Sequence, residues 1–592
     1  MRIFSFFMIS LFLQASLFAQ SIHHKLSMPE PQSHYFHIQV EVSDFPGEEL
    51  TMVLPVWAPG SYLVREFSKN INLVKAKDEN GKELPIAKSE KNKWKIQKGT
   101  AKKVILNYEY YAFELTVRTS FLDLTHGYLN GTNVFMYPEG QLGLGGKLTI
   151  FPHESFAKIT TALPKAGDGV SSDSGVEFTF ENYDQLGDCP IEIGNQEEFS
   201  FTAAGIKHNV AMYGVGNYDI PTLQRDMAKV VEATVAVFEE NPNKEYWFII
   251  HNTTTGSGGL EHTNSTTLNV NRWTYEGDDY LAFLSLVAHE YFHLWNVKRL
   301  RPDALWPYVY DKESYTDLLW VMEGFTSYYD ELLLRRSGFY SKEDYLGKVK
   351  STLNYVESSI GNSVQPVAHA SFDAWIKAYR PNENSSNTTV SYYPKGHLIA
   401  FAFDAMIIKA NKGKKSLDDL MQVLYNKYYK ELKRGFTTEE LRTELEAMTK
   451  TDLKSFFVDH IDGVKTIDYA KYLSEVGLEI TLQEGEQVLF GATTSDEEGR
   501  VIVKRISSGS AAEKNGLSVN DEVIAFNGFR VTKSSFSDYT EAVKPGDRFN
   551  LIINRDNQLM VLDCEMGTLP FVRYTFELDE NNKLGQFWLR EL

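Results

Sequence analysis

Two histidines four residues apart stand out in the segment His289-Glu290-Tyr291-Phe292-His293. On a helix, side chains at positions i and i+4 lie on one face, so both imidazoles can bind a single zinc ion. Glu290 directly follows the first histidine and can act as a general base on water at that ion. The spacing predicts a zinc hydrolase centre. The alternative is a helix with two ordinary histidines and a surface glutamate.

A third zinc ligand is expected from Glu323, in the segment Trp320-Val321-Met322-Glu323-Gly324-Phe325-Thr326. A catalytic zinc ion takes three protein ligands and keeps one position open for water. Glu323 can reach the ion from a neighbouring antiparallel helix; otherwise it is one more surface acid. Gly324 costs that helix about 1 kcal/mol relative to alanine, which the close approach of another backbone explains. Asp330 shares the helix face of Glu323 and is a candidate for orienting an imidazole.

A glycine-rich segment, Gly256-Ser257-Gly258-Gly259-Leu260-Glu261-His262, precedes a predicted strand. Gly258 and Gly259 let a substrate backbone approach closely, and the edge of the strand can pair with an extended peptide. Glu261 can then bind the free α-amino group of that peptide, which favours an exopeptidase over an endopeptidase. An ordinary glycine-rich turn is the alternative.

A tyrosine hydroxyl is the fourth candidate, in the segment Tyr392-Tyr393-Pro394-Lys395-Gly396. The hydroxyl of Tyr393 can stabilise the oxyanion of a tetrahedral intermediate opposite the metal. The chain has 32 tyrosines, so Tyr393 indicates a catalytic site only in combination with the other three segments.

The histidine segment needs a helix to position it, and the flanking residues predict one. Asp278 and Asp279 favour a helix N-terminus, an apolar run follows from 281 to 288, and Pro302 ends the helix. Before it, Tyr246 to Ile250 has the composition of a short buried strand. The candidate site should therefore lie between a sheet and helices.

The pattern of apolar residues changes twice along the chain. Strand-like alternation with turn pairs fills about 23–201, helices dominate about 280–474, and the last part returns to strands. We expect a multidomain α+β protein with a signal peptide (1–20), an all-β domain (21–205), a catalytic domain (206–340), a helical domain (341–474), a small module (475–570) and a C-terminal tail (571–592).

Composition excludes several classes of protein. The 592 residues carry a formal net charge of −19, which would repel nucleic acid. Two cysteines, Cys189 and Cys564, rule out a disulfide framework and a cysteine-based zinc site. Arg2 and the apolar run from Ile3 to Phe18 predict a secretory signal peptide, and therefore a periplasmic or secreted protein. No later segment reaches transmembrane length, so the mature chain should have no integral membrane segment.

The four candidate segments together resemble the glycyl aminopeptidase family of metallopeptidases and, more distantly, the aminopeptidase N superfamily. The run from His289 to Pro302, HEYFHLWNVKRLRP, is similar to the family signature, and Leu54 to Tyr62, LPVWAPGSY, is similar to its N-terminal domain motif. The resemblance implies a thermolysin-like catalytic domain with a helical extension.

The resemblance also implies a role for each candidate residue. It implies one zinc ion per chain bound by His289, His293 and Glu323, with Glu290 as the catalytic base. It places Gly258, Gly259 and Glu261 on the amino-terminal side of the substrate and Tyr393 at the intermediate. His262 departs from the asparagine common at that place in the distant relatives, and we expect it to alter the pocket for the substrate's amino terminus.

The C-terminal module resembles a PDZ domain. The similarity lies in Val503 to Ala512, Asn515-Gly516-Leu517 and Asn520 to Ile524. Gly477-Leu478-Glu479-Ile480 is the expected carboxylate-binding loop, in which Glu479 would disfavour a peptide C-terminus. Whether the module binds a peptide is open at this point.

The function expected from the sequence is a zinc aminopeptidase that removes N-terminal residues, small ones such as glycine or alanine preferred, from peptides with a free N-terminus. A zinc endopeptidase is one alternative, and comparing an N-acetylated peptide with its free-amine twin separates the two. The other is a non-catalytic envelope protein that binds peptides through its PDZ-like module, which needs no metal.

Overall fold

The computed structural model describes residues 20–167 and 175–592. The predicted signal peptide lies outside them except for its last residue. Within the described part, no helix combines the length and apolarity needed to span a membrane. The architecture is the expected multidomain α+β arrangement, with a β-rich N-terminal domain, a central sheet covered by helices, and a C-terminal β module.

The N-terminal domain contains three sheets. Its strands follow the predicted alternation, as in Tyr35–Ser43, where every second side chain is buried. The strands are β1 Ser21–Ser27, β2 Tyr35–Ser43, β3 Glu49–Val53, β4 Ile71–Asp78, β5 Glu83–Leu84, β6 Ile86–Glu90, β7 Lys93–Gln97, β8 Lys103–Tyr111, β9 Phe121–Leu122, β10 His126–Leu129, β11 Tyr137–Pro138, β12 Gly146–Phe151, β13 Lys158–Thr161, β14 Val176–Phe180 and β15 Ile191–Gly194. Two short helices, α1 Gly131–Val134 and α2 Tyr183–Gly187, lie between them. The strand orders are β14-β12-β1-β2-β8-β4-β5, β13-β15-β10-β9 and β11-β3-β7-β6.

The central domain has a five-stranded sheet with the order β16-β17-β18-β20-β19. The strands are β16 Glu197–Ala203, β17 Ile206–Tyr213, β18 Glu245–Thr253, β19 Gly259–Glu261 and β20 Ser265–Asn271, and the helices are α3 Ile220–Phe238, α4 Gly277–Phe292, α5 Leu319–Met322 and α6 Gly324–Arg336. Strand β19 is antiparallel to β20 and forms one edge of the sheet. Its free side is thus available to an extended peptide.

The helix predicted around Glu323 is interrupted at that residue. Helix α5 ends at Met322, Glu323 has φ −96° and ψ −40°, and α6 begins at Gly324. The prediction of one uninterrupted helix is therefore wrong at this residue alone, since the N–H of Glu323 still donates to Leu319 and its carbonyl oxygen still accepts from Ser327. Local composition does not reveal the break, because it arises where the two short helices pack against α4 and the helical domain.

The helical domain consists mainly of α7 Lys342–Glu357, α8 Val367–Phe372, α9 Ser385–Thr388, α10 Tyr392–Ala410, α11 Leu417–Leu424, α12 Thr438–Thr449, α13 Lys454–Phe456 and α14 Tyr469–Leu473, with π-helical turns at Tyr425–Glu431 and Phe457–Ile461. Helix α10 crosses the α5–α6 break at a contact between two glycines. A Cβ on Gly396 would lie 2.2 Å from the carbonyl oxygen of Trp320 and 2.7 Å from Cα of Gly324. This close approach accounts for Gly324, and it brings the start of α10, with Tyr393, next to Glu323.

The C-terminal part contains β21 Leu478–Val488, β22 Ala492–Glu497, β23 Arg500–Ile506, α15 Ala511–Lys514, β24 Glu522–Phe526, β25 Phe529–Arg530, α16 Lys533–Ala542, β26 Arg548–Arg555, β27 Gln558–Glu565, β28 Thr568–Leu578 and α17 Lys583–Trp588. A six-stranded sheet of β22 to β27 has its own apolar core. Strands β21 and β28 pair antiparallel over eleven residues each and connect that module to the body.

Two expectations for this region differ from the structure. Residues 571–592 were expected as a tail, but they complete β28 and form α17, whose Trp588 is buried. Residues 478–480, expected in a ligand-binding loop, belong to β21 and pair with β28. The loop that leads into the six-stranded sheet is instead residues 489–491, and Glu479 lies outside it, in the β21–β28 ribbon.

The glycine contact between α6 and α10 predicts the effect of one added methyl group. Gly396→Ala should lower the midpoint of thermal unfolding, with a cost of about 1–3 kcal/mol, because the methyl group overlaps backbone atoms that cannot move independently. Gly347→Ala in α7 is the matched control, since nothing lies within 4 Å of its added Cβ, and it should be neutral or stabilising. Equal midpoints for the two variants would show that the contact is not needed.

Candidate metal centre and substrate site

The three predicted metal ligands meet in the structure. Helix α4 carries His289, and His293 is the first residue after its end. Their Nε2 atoms are 3.1 Å apart, and Oε2 of Glu323 lies 3.5 Å from the first and 3.2 Å from the second. Two imidazole nitrogens and one carboxylate oxygen at this separation form a set that can hold one metal ion.

The second ring nitrogen of each histidine has an acceptor. His289 Nδ1 lies 2.8 Å from Oδ2 of Asp330, and His293 Nδ1 lies 2.6 Å from the carbonyl oxygen of Asn296. These bonds place the proton of each ring on Nδ1, so the lone pair of each Nε2 is free to bind a metal ion. Asp330 is the residue that the helix face suggested.

Asn296 fixes the third ligand as well, and sequence reasoning missed it. Its side-chain amide donates to the carbonyl oxygens of Val321, at 3.0 Å, and Met322, at 2.9 Å. These carbonyls immediately precede Glu323, so one residue orients both His293 and the glutamate. A signal was present: a polar residue between Trp295 and Val297 in an apolar run needs a buried partner.

Burial and neighbouring charges give the two glutamates different protonation behaviour. Burial acts to raise the pKa of Glu323, which is 2% exposed, but His293 and His289 outweigh it and lower that pKa to about 2. Burial raises the pKa of Glu290 to about 7 despite the same imidazoles. Glu323 is thus suited to be an anionic ligand and Glu290 to exchange a proton near neutral pH.

Two glycines let the side chains of Glu290 and Glu261 lie directly against the backbone, one in the edge strand β19 and one in the N-terminal domain. A Cβ on Gly259 would be 2.3 Å from Oε1 of Glu290, and a Cβ on Gly60 of the N-terminal domain would be 2.4 Å from Oε1 of Glu261. Gly258 precedes this contact with φ +107°, a conformation that favours glycine. At both places an added Cβ would displace the carboxylate from its position, which accounts for a glycine in each of the two motifs.

Glu261 presents an unsatisfied carboxylate to the site. Its side chain is 3% exposed, yet its Oε1 has no hydrogen-bond partner within the described residues. Its ligand atoms lie within 4.8 Å of those of Glu290 and His293. A buried carboxylate oxygen without a donor is suited to receive a cationic group from a ligand.

Tyr393 lies against the metal ligands from the other side. Its ring stacks on that of His289, with centroids 6.3 Å apart. Burial, with the Glu323 charge, raises the pKa of its hydroxyl well above the usual value. The hydroxyl therefore stays protonated and can act as a hydrogen-bond donor.

His262 is placed differently from the other predicted substrate residues. Its Nδ1 lies 3.1 Å from Oδ1 of Asp188, which also accepts from Nζ of Lys298 at 2.7 Å. The ring is buried, and its Nε2 has no hydrogen-bond partner within the described residues. We interpret His262 as holding the end of β19, and with it Glu261, in place.

A strained residue positions Lys298 in that network. Val297 has φ +117°, which for a β-branched side chain costs on the order of 1–3 kcal/mol. The backbone amide of Val297 bonds to Leu300 and Trp295 carbonyl oxygens at 3.1 Å. The hydrogen bonds of this tight turn thus hold Val297 in its strained conformation, and the turn directs Lys298 towards the N-terminal domain.

A second cluster, His126, Glu192 and His251, also has metal-ligand composition. Oε1 of Glu192 is 2.7 Å from His126 Nδ1, and Oε2 is 2.9 Å from His251 Nε2. The opposite nitrogens, His126 Nε2 and His251 Nδ1, have no partner within the described residues. Metal-bound histidines donate that N–H to an acceptor, so this cluster fits a carboxylate accepting from two imidazoles, which fastens β10 and β15 to β18.

Comparison with known proteins gives three family matches. The model described as "Peptidase M61 N-terminal domain" matches residues 23–195, "M61 glycyl aminopeptidase" matches 282–399, and "PDZ domain" matches 488–565. The last match begins next to the 489–491 loop and ends before β28.

Solved structures support the same assignment. An aminopeptidase N family protein from Idiomarina loihiensis is 32% identical, with a TM-score of 0.88 over 96% of this chain and 100% of that chain. An M1 zinc metallopeptidase from Deinococcus radiodurans is 12% identical, with a TM-score of 0.51 over 76% of this chain and 95% of that chain, and shares the fold.

Among curated proteins, serine protease HTR4 from Bos taurus is 37% identical over 62 residues. The chain spans 12% of the length of that relative, and the match covers 10% of this chain. A match this short gives no reason to assign the activity of that relative to this chain.

The Glu192 cluster predicts an acid-sensitive contribution to stability. Burial alone would raise the pKa of Glu192, but His126 and His251 lower it to about 2. A lowered pKa stabilises the fold above the unfolded value near 4.5, and that contribution is lost as pH falls from about 5 to 2. Glu192→Gln should lower the free energy of unfolding at pH 7 by about 1–3 kcal/mol, and with it the thermal midpoint, because one imidazole loses its acceptor. The variant should then lose less stability between pH 7 and pH 4 than the unaltered protein.

Glu177→Gln is the matched control for that measurement. Glu177 pairs with Lys147 at 2.8 Å on the surface, where such pairs contribute about 0–1 kcal/mol. Identical midpoints for the two variants at both pH values would contradict the proposed role of the buried cluster.

Proposed function

Because this chain belongs to the M61 glycyl aminopeptidase family, we propose that it is a zinc-dependent aminopeptidase that removes single N-terminal residues from peptides. The observation that carries the proposal is the buried, unpaired Glu261 carboxylate beside Glu290 and the metal-ligand triad. A site built for internal peptide bonds has no need of an anion at that position.

The residues present fit a zinc ion. His289, His293 and Glu323 would hold it, since each imidazole has its outer N–H satisfied and the glutamate is anionic. When bound, the ion polarises the scissile carbonyl and lowers the pKa of water.

The remaining chemistry belongs to side chains of this chain. The substrate backbone pairs with the free edge of β19, and Glu261 accepts hydrogen bonds from the α-ammonium group. Glu290 takes a proton from the attacking water and passes it to the leaving amine. The Tyr393 hydroxyl donates a hydrogen bond to the oxyanion.

The N-terminal domain supports the preference for a small first residue. Gly60 lies against Glu261, and the carbonyl oxygen of Gly60 accepts from the Tyr379 hydroxyl at 3.3 Å. Tyr62, two residues on, is buried, and burial, together with the Glu323 charge, raises the pKa of its hydroxyl well above the usual value. We expect these aromatic side chains, held next to Gly60, to limit the first residue of the substrate to glycine or alanine.

The proposal extends to the PDZ domain and to location. The domain should bind an extended peptide at β22, next to the 489–491 loop. Export to the periplasm or medium stays the expectation from the apolar run before residue 20, and it agrees with a peptidase that acts on external peptides.

Replacing the general base tests the catalytic step. Glu290→Gln should retain about one zinc per chain. Its turnover of an alanyl anilide should be at least a hundredfold lower than that of the unaltered enzyme, because the amide cannot accept the proton. His293→Ala is the comparison, since it should lose both zinc and activity. Metal analysis with steady-state kinetics checks both, and normal turnover by Glu290→Gln would refute the assigned role.

Blocking the substrate amine tests the role of Glu261. The unaltered enzyme should cleave Ala-Ala-Phe with a free amine and leave its N-acetyl twin intact. Glu261→Gln should lower kcat/KM for the free-amine peptide by about 10- to 100-fold, the value of a hydrogen bond between charged groups. Equal cleavage of the acetylated peptide would instead identify an endopeptidase.

A further inference from the structure

Arg301 is a buried cation that forms no ion pair with any of the residues that the structure describes. The residue is 9% exposed, and its Nε and Nη1 have no hydrogen-bond partner within the described residues. The guanidinium lies over two rings, 4.1 Å from the centroid of Trp306 and 4.3 Å from that of Tyr308. The rings cover the faces of the cation and leave the N–H groups at its edge unsatisfied.

A cavity of about 370 Å³ borders this cation. Its wall is contributed by the N-terminal, catalytic and helical domains, and includes Pro59, Asp184, Thr263, Tyr310 and Tyr429. The volume is that of a small-molecule pocket. The described residues that line it include no proposed metal ligand and neither Glu261 nor Glu290, so it is distinct from the zinc cleft.

The other buried cation of the cavity is already neutralised. Lys298 donates to Asp188 at 2.7 Å, and Asp188 also accepts from the backbone N–H of Thr263 at 2.8 Å. This pair forms the wall between the cavity and His262. Arg301 is therefore the buried cation that remains for a ligand.

Two further acids line the cavity without contacting Arg301. Asp184 accepts from the hydroxyl of Tyr310 at 2.7 Å, and Glu181 makes no ion pair with the guanidinium. The cavity thus offers donors at one place and acceptors at another, with tyrosine rings between them.

We propose that this cavity binds the carboxylate group of a small molecule through Arg301. A carboxylate is planar and presents two oxygens to adjacent N–H groups of a guanidinium, and the stacked rings hold the cation in the orientation that such a pair needs. The source of the carboxylate is a simple organic acid or a free amino acid, whose ammonium group would meet the acids of the same cavity.

Crystals of the zinc-loaded full chain distinguish these sources. They are soaked in propionate, in alanine, or in propylamine, which has no carboxylate. We expect density for propionate or alanine on the Arg301 nitrogens and none for propylamine. Stronger occupancy by alanine than by propionate identifies a zwitterion site. Water alone beside Arg301 in both carboxylate soaks overturns the proposal.

Calorimetric titration of the same ligands separates this site from carboxylate binding in the zinc cleft. Arg301→Met keeps the side-chain length between the rings and should weaken the Arg301-dependent binding event at least tenfold, with zinc content unchanged. Arg530→Met, an exposed arginine of β25, is the control and should bind as the unaltered protein does. Equal affinity of the two variants overturns the proposal. If Arg301→Met fails to fold, Arg301→Lys takes its place, and the soaks need no variant.

Discussion

Asn296 holds the candidate site together. Its backbone carbonyl oxygen accepts from Nδ1 of His293, and its side-chain amide donates to the two carbonyl oxygens that precede Glu323. One residue thus joins the end of α4 to the break between α5 and α6. Because the metal ligands come from both sides of that join, their separation of little more than 3 Å depends on it. The α5–α6 break is held from the opposite side by the glycine contact with α10.

The N-terminal domain forms one side of the candidate site. Arg118 donates to the carbonyl oxygen of Gly259 at 3.3 Å, and Tyr128 donates to Thr267 at 3.0 Å. Both contacts tie the first domain to the last two strands of the central sheet, β19 and β20, and Gly60 lies against Glu261. A substrate that pairs with β19, as proposed above, would meet this wall at its amino-terminal end, as expected for an aminopeptidase.

Sequence reasoning succeeded where spacing along one helix settles geometry. His289 with His293, and Glu323 with Asp330, are related by helical periodicity alone. It failed where partners come from distant segments. The pairing of Asp188 with Lys298 and His262 joins residues far apart in sequence, and the β21–β28 ribbon joins segments on either side of the PDZ domain. The break at Glu323 was missed because helix packing produces it and no proline or glycine precedes it.

The path of the chain through the PDZ domain affects how the enzyme is made. The ribbon of β21 and β28 carries the chain out to that domain and back, and α17 then docks on the body. Trp588 donates to the Tyr328 hydroxyl at 3.0 Å, and Arg335 donates to the carbonyl oxygen of Leu589. Both acceptor and donor lie on α6, the helix that starts beside Glu323. Residues that follow the PDZ domain in the chain are therefore packed against α6, and α6 cannot complete its contacts until the PDZ domain has been synthesised.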